Sequence, residues 1–180
     1  MPTDTPLVLH SKRLELRPFG PTDAHLVGRI LRDPGIIFWR KGRMPMKKVR
    51  EGIRNSLGMN KWGLGWWLIF SRDGKNTLIG TLLLQPLDNT SDIEIGYHLR
   101  RDQWGKGYAT EAAARLLEHG FTTIRLRNIC AVALPYNHRS IKVIEKLGLK
   151  LRKNSYHRGL AHRYFELDRG EYLARRAHGS

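Results

Sequence analysis

Apolar positions alternate along residues 7–19, around Leu14 and Leu16, up to a stop at Pro18; this predicts a first strand. Thr22-Asp23 supplies a helix start, and Leu26, Val27, Ile30 and Leu31 then make one apolar face that ends at Pro34. Pro45 opens a second helix, with Val49, Ile53 and Leu57 at four-residue spacing. Residues 63–71 read as a strand, Arg72-Asp73-Gly74-Lys75-Asn76 as its hairpin turn, and 77–87 as the returning strand, stopped at Pro86. Residues 92–100 alternate again. From 107 to about 124 the period becomes helical, with Ala109, Ala112, Ala113, Leu116, Leu117 and Phe121 inward. A short apolar strand at 128–135 is followed by an amphipathic helix at 137–147, closed by Gly148. Two strands, near 149–157 and 160–168, complete the order βααβββαβαββ. No repeat, low-complexity tract or linker divides the chain. The expectation is one α/β (mixed α+β) domain over 1–180, with its core at about 7–168 and short terminal extensions.

Composition narrows the function classes. The 180 residues hold 41% hydrophobic side chains, enough for one buried core. No apolar run approaches the 18 or so residues of a membrane span, and the N-terminal residues lack an apolar signal core. The single cysteine, Cys130, excludes an intramolecular disulfide framework. A cytoplasmic protein is expected. The 32 Lys and Arg outnumber the 16 Asp and Glu, for a net charge of +16. One concentration stands out: residues 40–61 carry Arg40, Lys41, Arg43, Lys47, Lys48, Arg50, Arg54 and Lys61 against Glu51 alone. Such a cluster is either a solvated helix face or a surface for an acidic partner, such as RNA, an acidic peptide or a phosphorylated small molecule.

The segment Gln103-Trp104-Gly105-Lys106-Gly107-Tyr108-Ala109-Thr110-Glu111-Ala112 lies between a strand and a long helix. Glycines at 105 and 107 allow a tight turn whose N–H groups, with the helix start behind them, can hold phosphate oxygens. The spacing is not that of a Walker A loop. Nor is it a dinucleotide fingerprint, because Thr110 stands at the sixth position and the preceding strands form hairpins. A second segment, Leu134-Pro135-Tyr136-Asn137-His138-Arg139-Ser140, leads into a helix ending Glu145-Lys146-Leu147-Gly148-Leu149.

Together the two segments resemble the GNAT superfamily of N-acetyltransferases. Trp104-Gly105-Lys106-Gly107-Tyr108-Ala109 is similar to its Gln/Arg-x-x-Gly-x-Gly/Ala acetyl-CoA pyrophosphate loop. The second segment resembles its Asn-x-x-Ser helix with a terminal Lys-x-Gly-Phe. Trp104 replaces the usual Gln or Arg, and Leu149 the usual Phe. The phrases Trp-Gly-Lys-Gly-Tyr-Ala-Thr-Glu-Ala and Arg-Leu-Glu-Leu-Arg-Pro-Phe are most similar to the branch of ribosomal-protein N-terminal (alanine/serine) acetyltransferases. The resemblance spans about 7–167 and implies a central, mostly antiparallel twisted sheet flanked by helices. It implies acetyl-CoA as cosubstrate, held by Trp104, Gly105, Lys106, Gly107, Tyr108, Ala109 and Thr110. The pantetheine arm would run along Tyr97, His98 and Leu99, with Asn137 and Ser140 at the facing helix; Lys106, Arg100 and Arg101 are near enough to help hold the phosphates.

Acetyl transfer to an amine has two proton problems: the nitrogen must lose one and the thiolate must gain one. Glu94 lies on the strand that the resemblance sets beside the acetyl group, and Ile93 and Ile95 point to the other face. It is a candidate base; the competing reading is an acid on a half-exposed strand. A tyrosine seven residues after Asn137 serves as acid in some family members, but Ile144 stands there. Ser140 is the better candidate acid, or it caps the helix; Tyr136 is a weaker spare. Cys130 reads as a buried inert thiol, the tryptophans as core or acceptor wall, and the histidines as no metal set. The leading reading is direct acetyl transfer in a ternary complex to a primary amine, such as a protein N-terminus or an acidic acceptor. A small amine or amino acid is a second acceptor class. The rival from another class is a silent GNAT-fold module that binds RNA, the ribosome or an acidic partner. Monomer and homodimer are both open.

Overall fold

The computed structural model describes residues 7–33, 45–60, 62–88, 90–157 and 159–178. The strands are β1 (Leu9–His10), β2 (Leu14–Pro18), β3 (Gly65–Ser71), β4 (Leu78–Pro86), β5 (Ile93–Leu99), β6 (Asn128–Ala133), β7 (Lys150–His157) and β8 (Leu160–Asp168). The helices are α1 (Ala24–Leu31), α2 (Met46–Asn60), α3 (Tyr108–Glu118), α4 (His138–Lys146) and α5 (Arg169–His178). One sheet runs in the order β1-β2-β3-β4-β5-β6-β8-β7. Every neighbouring pair is antiparallel except β5 and β6.

Period-two alternation splits the apolar side chains between the two faces of the sheet. On one face Leu14, Leu16, Trp67, Ile69, Leu82, Leu84, Ile95 and Leu99 pack with Ala112, Ala113, Leu116 and Leu117 of α3 and Ile141 and Ile144 of α4. On the other, Leu68 and Phe70 meet Val27, Ile30 and Leu31 of α1 and Val49 and Ile53 of α2. Farther along, Leu87, Cys130 and Tyr164 form a smaller cluster. Each fully buried Leu or Ile contributes about 1.5–3 kcal/mol, so two-sided coverage is what holds the sheet. Among the described residues no helix is long and apolar enough to cross a membrane.

Three features differ from the sequence expectation. The first strand is two, because the chain turns at 11–13, where the Ser11 N–H donates to the Leu14 carbonyl at 2.9 Å. The long helix changes at His119–Thr123 into a π turn closed by the Ile124 N–H on the His119 carbonyl, 3.1 Å. The C-terminal extension is a helix, α5. None of its residues is buried, so it has no apolar stripe to announce it. It is held instead by Tyr172 stacked on Phe121 at 4.7 Å and by ion pairs Lys150–Glu171 and Arg176–Glu118, both 2.7 Å.

Asp23 stands before α1 as expected, but its carboxylate turns back. Arg17 donates to it through both terminal nitrogens, at 2.7 and 2.9 Å, and the Gly20 N–H at 2.7 Å. Burial opposes the charge on Asp23, yet these bonds outweigh it and hold the carboxyl below its usual range. The clamp fixes the angle at which α1 leaves β2.

Candidate active site

Strand β4 follows β5 along its whole length, from Gly80 opposite Leu99 to Pro86 opposite Ile93. On the other side β5 meets β6 at one parallel register pair, Glu94 opposite Cys130. Beyond it no register pair joins the two strands among the described residues. Both strands continue in the same direction, β5 toward the glycine turn and β6 toward α4, and a gap opens between them. The backbone groups along 95–99 that turn away from β4 therefore face the gap without a register partner on β6, and an extended ligand with its own amides fits there. Tyr97, His98 and Leu99 lie on this edge. The Leu99 carbonyl already accepts the Trp104 indole N–H at 2.9 Å, so Trp104 closes the far end of the gap.

The glycine turn follows. Gly105 and Gly107 both hold left-handed φ angles, 76° and 79°, which other residues adopt only at a cost. Gly107 is the N-cap of α3, and no side chain caps the helix. Its first N–H groups are thus left for an outside acceptor, and nothing lies within 4 Å of where a Gly105 side chain would begin. Tyr108, Ala109 and Thr110 make the first turn of α3. Lys106 is exposed and its Nζ donates to Gln103 Oε1 at 3.1 Å. Arg100 is committed elsewhere: it donates to Asp102 at 2.9 and 3.1 Å and to the Leu78 carbonyl at 3.1 Å. Two residues at the turn were not singled out by the sequence. Arg139, from the first turn of α4, sits over the Trp104 ring at 5.3 Å, and Arg13, from the turn before β2, donates to the Lys106 carbonyl at 3.0 Å.

Helix α4 begins as its sequence suggested. Asn137 caps it, with Oδ1 accepting the Ser140 N–H at 3.2 Å. That leaves the Ser140 hydroxyl for another role. Its Oγ accepts the Tyr97 O–H at 3.2 Å, across the gap. Burial pushes the Tyr97 phenol up to about 12, partly offset by this hydrogen bond, so it stays protonated and donating at neutral pH. Read from the sequence, Tyr97 had a backbone role only. Tyr136 is 60% exposed and lies outside this pair.

Glu94 projects from the opposite face, and it is 4% exposed, so the reading of a half-exposed surface acid falls. Its register neighbours are Gln85 on β4 and Cys130 on β6. Gln85 accepts the Trp66 indole N–H at 2.8 Å, and Trp66 stacks on His98, four residues along from Glu94 on the same face, at 6.0 Å. Beyond Cys130, the Tyr164 hydroxyl donates to Asp92 at 3.0 Å and contacts Glu166 at 3.3 Å. Burial first, then the charge of Glu94, pushes the Cys130 thiol up to about 12, so it stays neutral and unreactive. Trp67 is core, Trp66 lines this wall, Trp62 is exposed, and Trp39 lies outside the described residues.

Of the basic segment, Lys47, Lys48, Arg50 and Arg54 are exposed on α2, whereas Arg40, Lys41, Arg43 and Lys61 lie outside the described residues. Helix α2 reaches the Glu94 face through Ser56, whose Oγ accepts the Trp66 N–H at 2.6 Å. Arg50 lies about 9 Å of helix before Ser56. Among the described residues no group of three His, Cys, Asp or Glu side chains is arranged to hold a metal.

This arrangement can be set beside known proteins. Residues 13–150 match the acetyltransferase (GNAT) domain family. The uncharacterized protein YkkB of Bacillus subtilis is 31% identical over 81% of this chain and 86% of its own length. The uncharacterized N-acetyltransferase YnaD of the same organism is 34% identical over 78% and 81%. Among solved structures, the ribosomal-protein-S5-alanine acetyltransferase of Vibrio fischeri shares the fold, with a TM-score of 0.76 at 17% identity over 92% of this chain and 98% of that one. Enzymes of the matched family use acetyl-CoA. The strand gap, the left-handed glycine turn and the capped α4 all fall within or beside the matched segment, and the chain belongs to the GNAT family as an N-acetyltransferase.

Proposed function

We propose that this enzyme moves an acetyl group directly onto a primary amine in a ternary complex. One observation carries the reading: the gap between β5 and β6 is flanked by buried Glu94 on one sheet face and by the Tyr97–Ser140 hydrogen bond on the other. Acetyl-CoA supplies the activated thioester. The N–H groups of 105–110 hold its pyrophosphate, and the edge of Tyr97, His98 and Leu99 pairs with its pantetheine amides. Glu94 accepts the proton that the attacking nitrogen loses, directly or through water. Ser140 Oγ gives its proton to the departing sulfur while the Tyr97 O–H, which already points at it, donates to that oxygen; the proton taken up by Glu94 returns through water to Ser140, so Tyr97 keeps its own. Coenzyme A release with a panel of peptides and amines tests the proposal. Release that depends on a primary amine supports it; release that no amine accelerates contradicts it.

The leading acceptor is the amino terminus of a protein. Support comes from the phrases around Arg13 and Gly107 and from the charge layout. Carboxylates at Asp92, Glu94 and Glu166 surround the Glu94 face, where an ammonium group would approach, while Lys47, Lys48 and Arg50 stand farther out on α2. That layout suits a cationic amino terminus on an acidic body. Reversing Lys47, Lys48 and Arg50 to Glu is expected to raise KM for an acidic peptide and to leave acetyl-CoA affinity nearly unchanged. Exposed charges act over roughly 8–10 Å at physiological salt, so the effect should fade as salt rises. Equal losses for acidic and neutral peptides, or no salt dependence, would make the cluster a solvated face.

A further inference from the structure

The two phrases that carry the sequence resemblance lie far apart in the chain, and the fold joins them at one point. Arg13, at the entry to β2, donates through its backbone N–H to Glu111 Oε1 at 2.7 Å and through Nε to Glu111 Oε2 at 2.6 Å. Ser11 Oγ donates to the same Oε1 at 2.8 Å. The guanidinium lies over the Tyr108 ring at 4.6 Å, and its Nη1 donates to the Lys106 carbonyl at 3.0 Å. Lys106 and Tyr108, on either side of Gly107, are therefore both tied to Arg13 at the β1–β2 turn.

Resting on the reading of 104–110 as the pyrophosphate turn, we infer that Arg13 and Glu111 are positioning residues that set this turn for phosphate before the cosubstrate arrives. A trans peptide is planar, with its C=O and N–H pointing in opposite directions. Anchoring the Lys106 carbonyl on Arg13 thus aims the Gly107 N–H away from Arg13, into the exposed mouth of the turn. Glycines that are not held lose more freedom on ordering than any other residue. Each residue that had to be ordered on binding would weaken affinity roughly 5–30-fold. The brace removes that penalty in advance. Burial works against the charge on Glu111, but bonds from Ser11 and Arg13 outweigh it and keep the carboxylate ionised well into acid.

The sign of one substitution separates this role from its alternative. If Arg13 served only as a phosphate ligand, Glu111→Gln would unmask its charge and tighten acetyl-CoA binding. The brace predicts the reverse. Binding is measured by calorimetry for acetyl-CoA and for S-acetylpantetheine, which lacks the pyrophosphate, with wild type, Glu111→Gln, Arg13→Met and Arg13→Lys. Glu111→Gln and Arg13→Met should each weaken acetyl-CoA by about 10-fold or more, and leave S-acetylpantetheine nearly unchanged. Arg13→Lys should recover only part of the loss, because an ammonium cannot hold Glu111 and the Lys106 carbonyl in one planar fork. Tighter or unaltered acetyl-CoA binding in Glu111→Gln, or equal losses for both thioesters, would overturn the brace. Should the wild type itself show no preference for acetyl-CoA over S-acetylpantetheine, the pyrophosphate assignment fails and the brace with it.

Discussion

Replacing Gly107 with Glu is expected to abolish the thermal stabilisation that acetyl-CoA gives the wild-type enzyme. A ligand that binds only the folded state at about 100 times its Kd stabilises by about 2.7 kcal/mol. For a domain of this size that is a rise in Tm of roughly 5–10 °C. Gly107 sits at φ 79°, so any side chain there is strained by about 1–2 kcal/mol, and the variant starts from a lower Tm. The ligand-induced shift, not the absolute Tm, is the informative quantity. In the proposed site a Glu carboxylate would stand where the two phosphate groups approach. Gly107→Ala provides the control, since it carries the same strain without the charge and should keep part of the shift. Its Cβ would be 3.4 Å from Arg13 Nη2, an ordinary contact. A full wild-type shift in Gly107→Glu would remove the turn from the cosubstrate site.

The second large effect concerns Glu94. Glu94→Gln should bind acetyl-CoA as the wild type does and transfer acetyl about 10²–10⁴ times more slowly at neutral pH. The amide is nearly isosteric, which matters because Glu94 is 4% exposed and truncation to Ala would add a cavity. The deficit has a direction in pH. An amine acceptor loses its own proton as pH rises, so less is asked of a base, and wild type and variant should converge toward alkaline pH. Initial rates from pH 6 to about 10 with a saturating amine check this. A parallel pair of profiles would make Glu94 a structural acid of the β5–β6 junction.

The sequence disclosed most of the scaffold and the local parts of the candidate site. Alternation and helical spacing found most strands and helices through β8 because they depend on an apolar face; β7, with no buried residue, was placed by its position between Gly148 and β8. Helix α5 escaped because it is held by Tyr172 and ion pairs rather than by a stripe. The left-handed turn was legible because two glycines at 105 and 107 are a local signal, as was the cap at Asn137. What could not be read was anything set by distance along the fold. Arg13 and Glu111 are 98 residues apart, and Tyr97 and Ser140 are 43 apart; no local pattern pairs them. The burial of Glu94 was equally hidden. Alternation gave its face, but whether that face is wet depends on the α1–α2 cluster on one side and the Tyr164 cluster on the other. The gap itself arises because β5 and β6 share one register pair and then part, a property of sheet packing that leaves no mark on either strand.

Mass spectrometry of both enzyme and acceptor tests direct transfer at this gap most directly. The enzyme is mixed with excess acetyl-CoA, first alone and then with a primary-amine peptide, and the intact masses of protein and peptide are followed through the first turnover. With direct transfer the protein never gains an acetyl group, Cys130 included, and the peptide gains one at its amine while one coenzyme A is released. An acetylated enzyme that forms before the peptide is added, and then passes its acetyl group on, would contradict it.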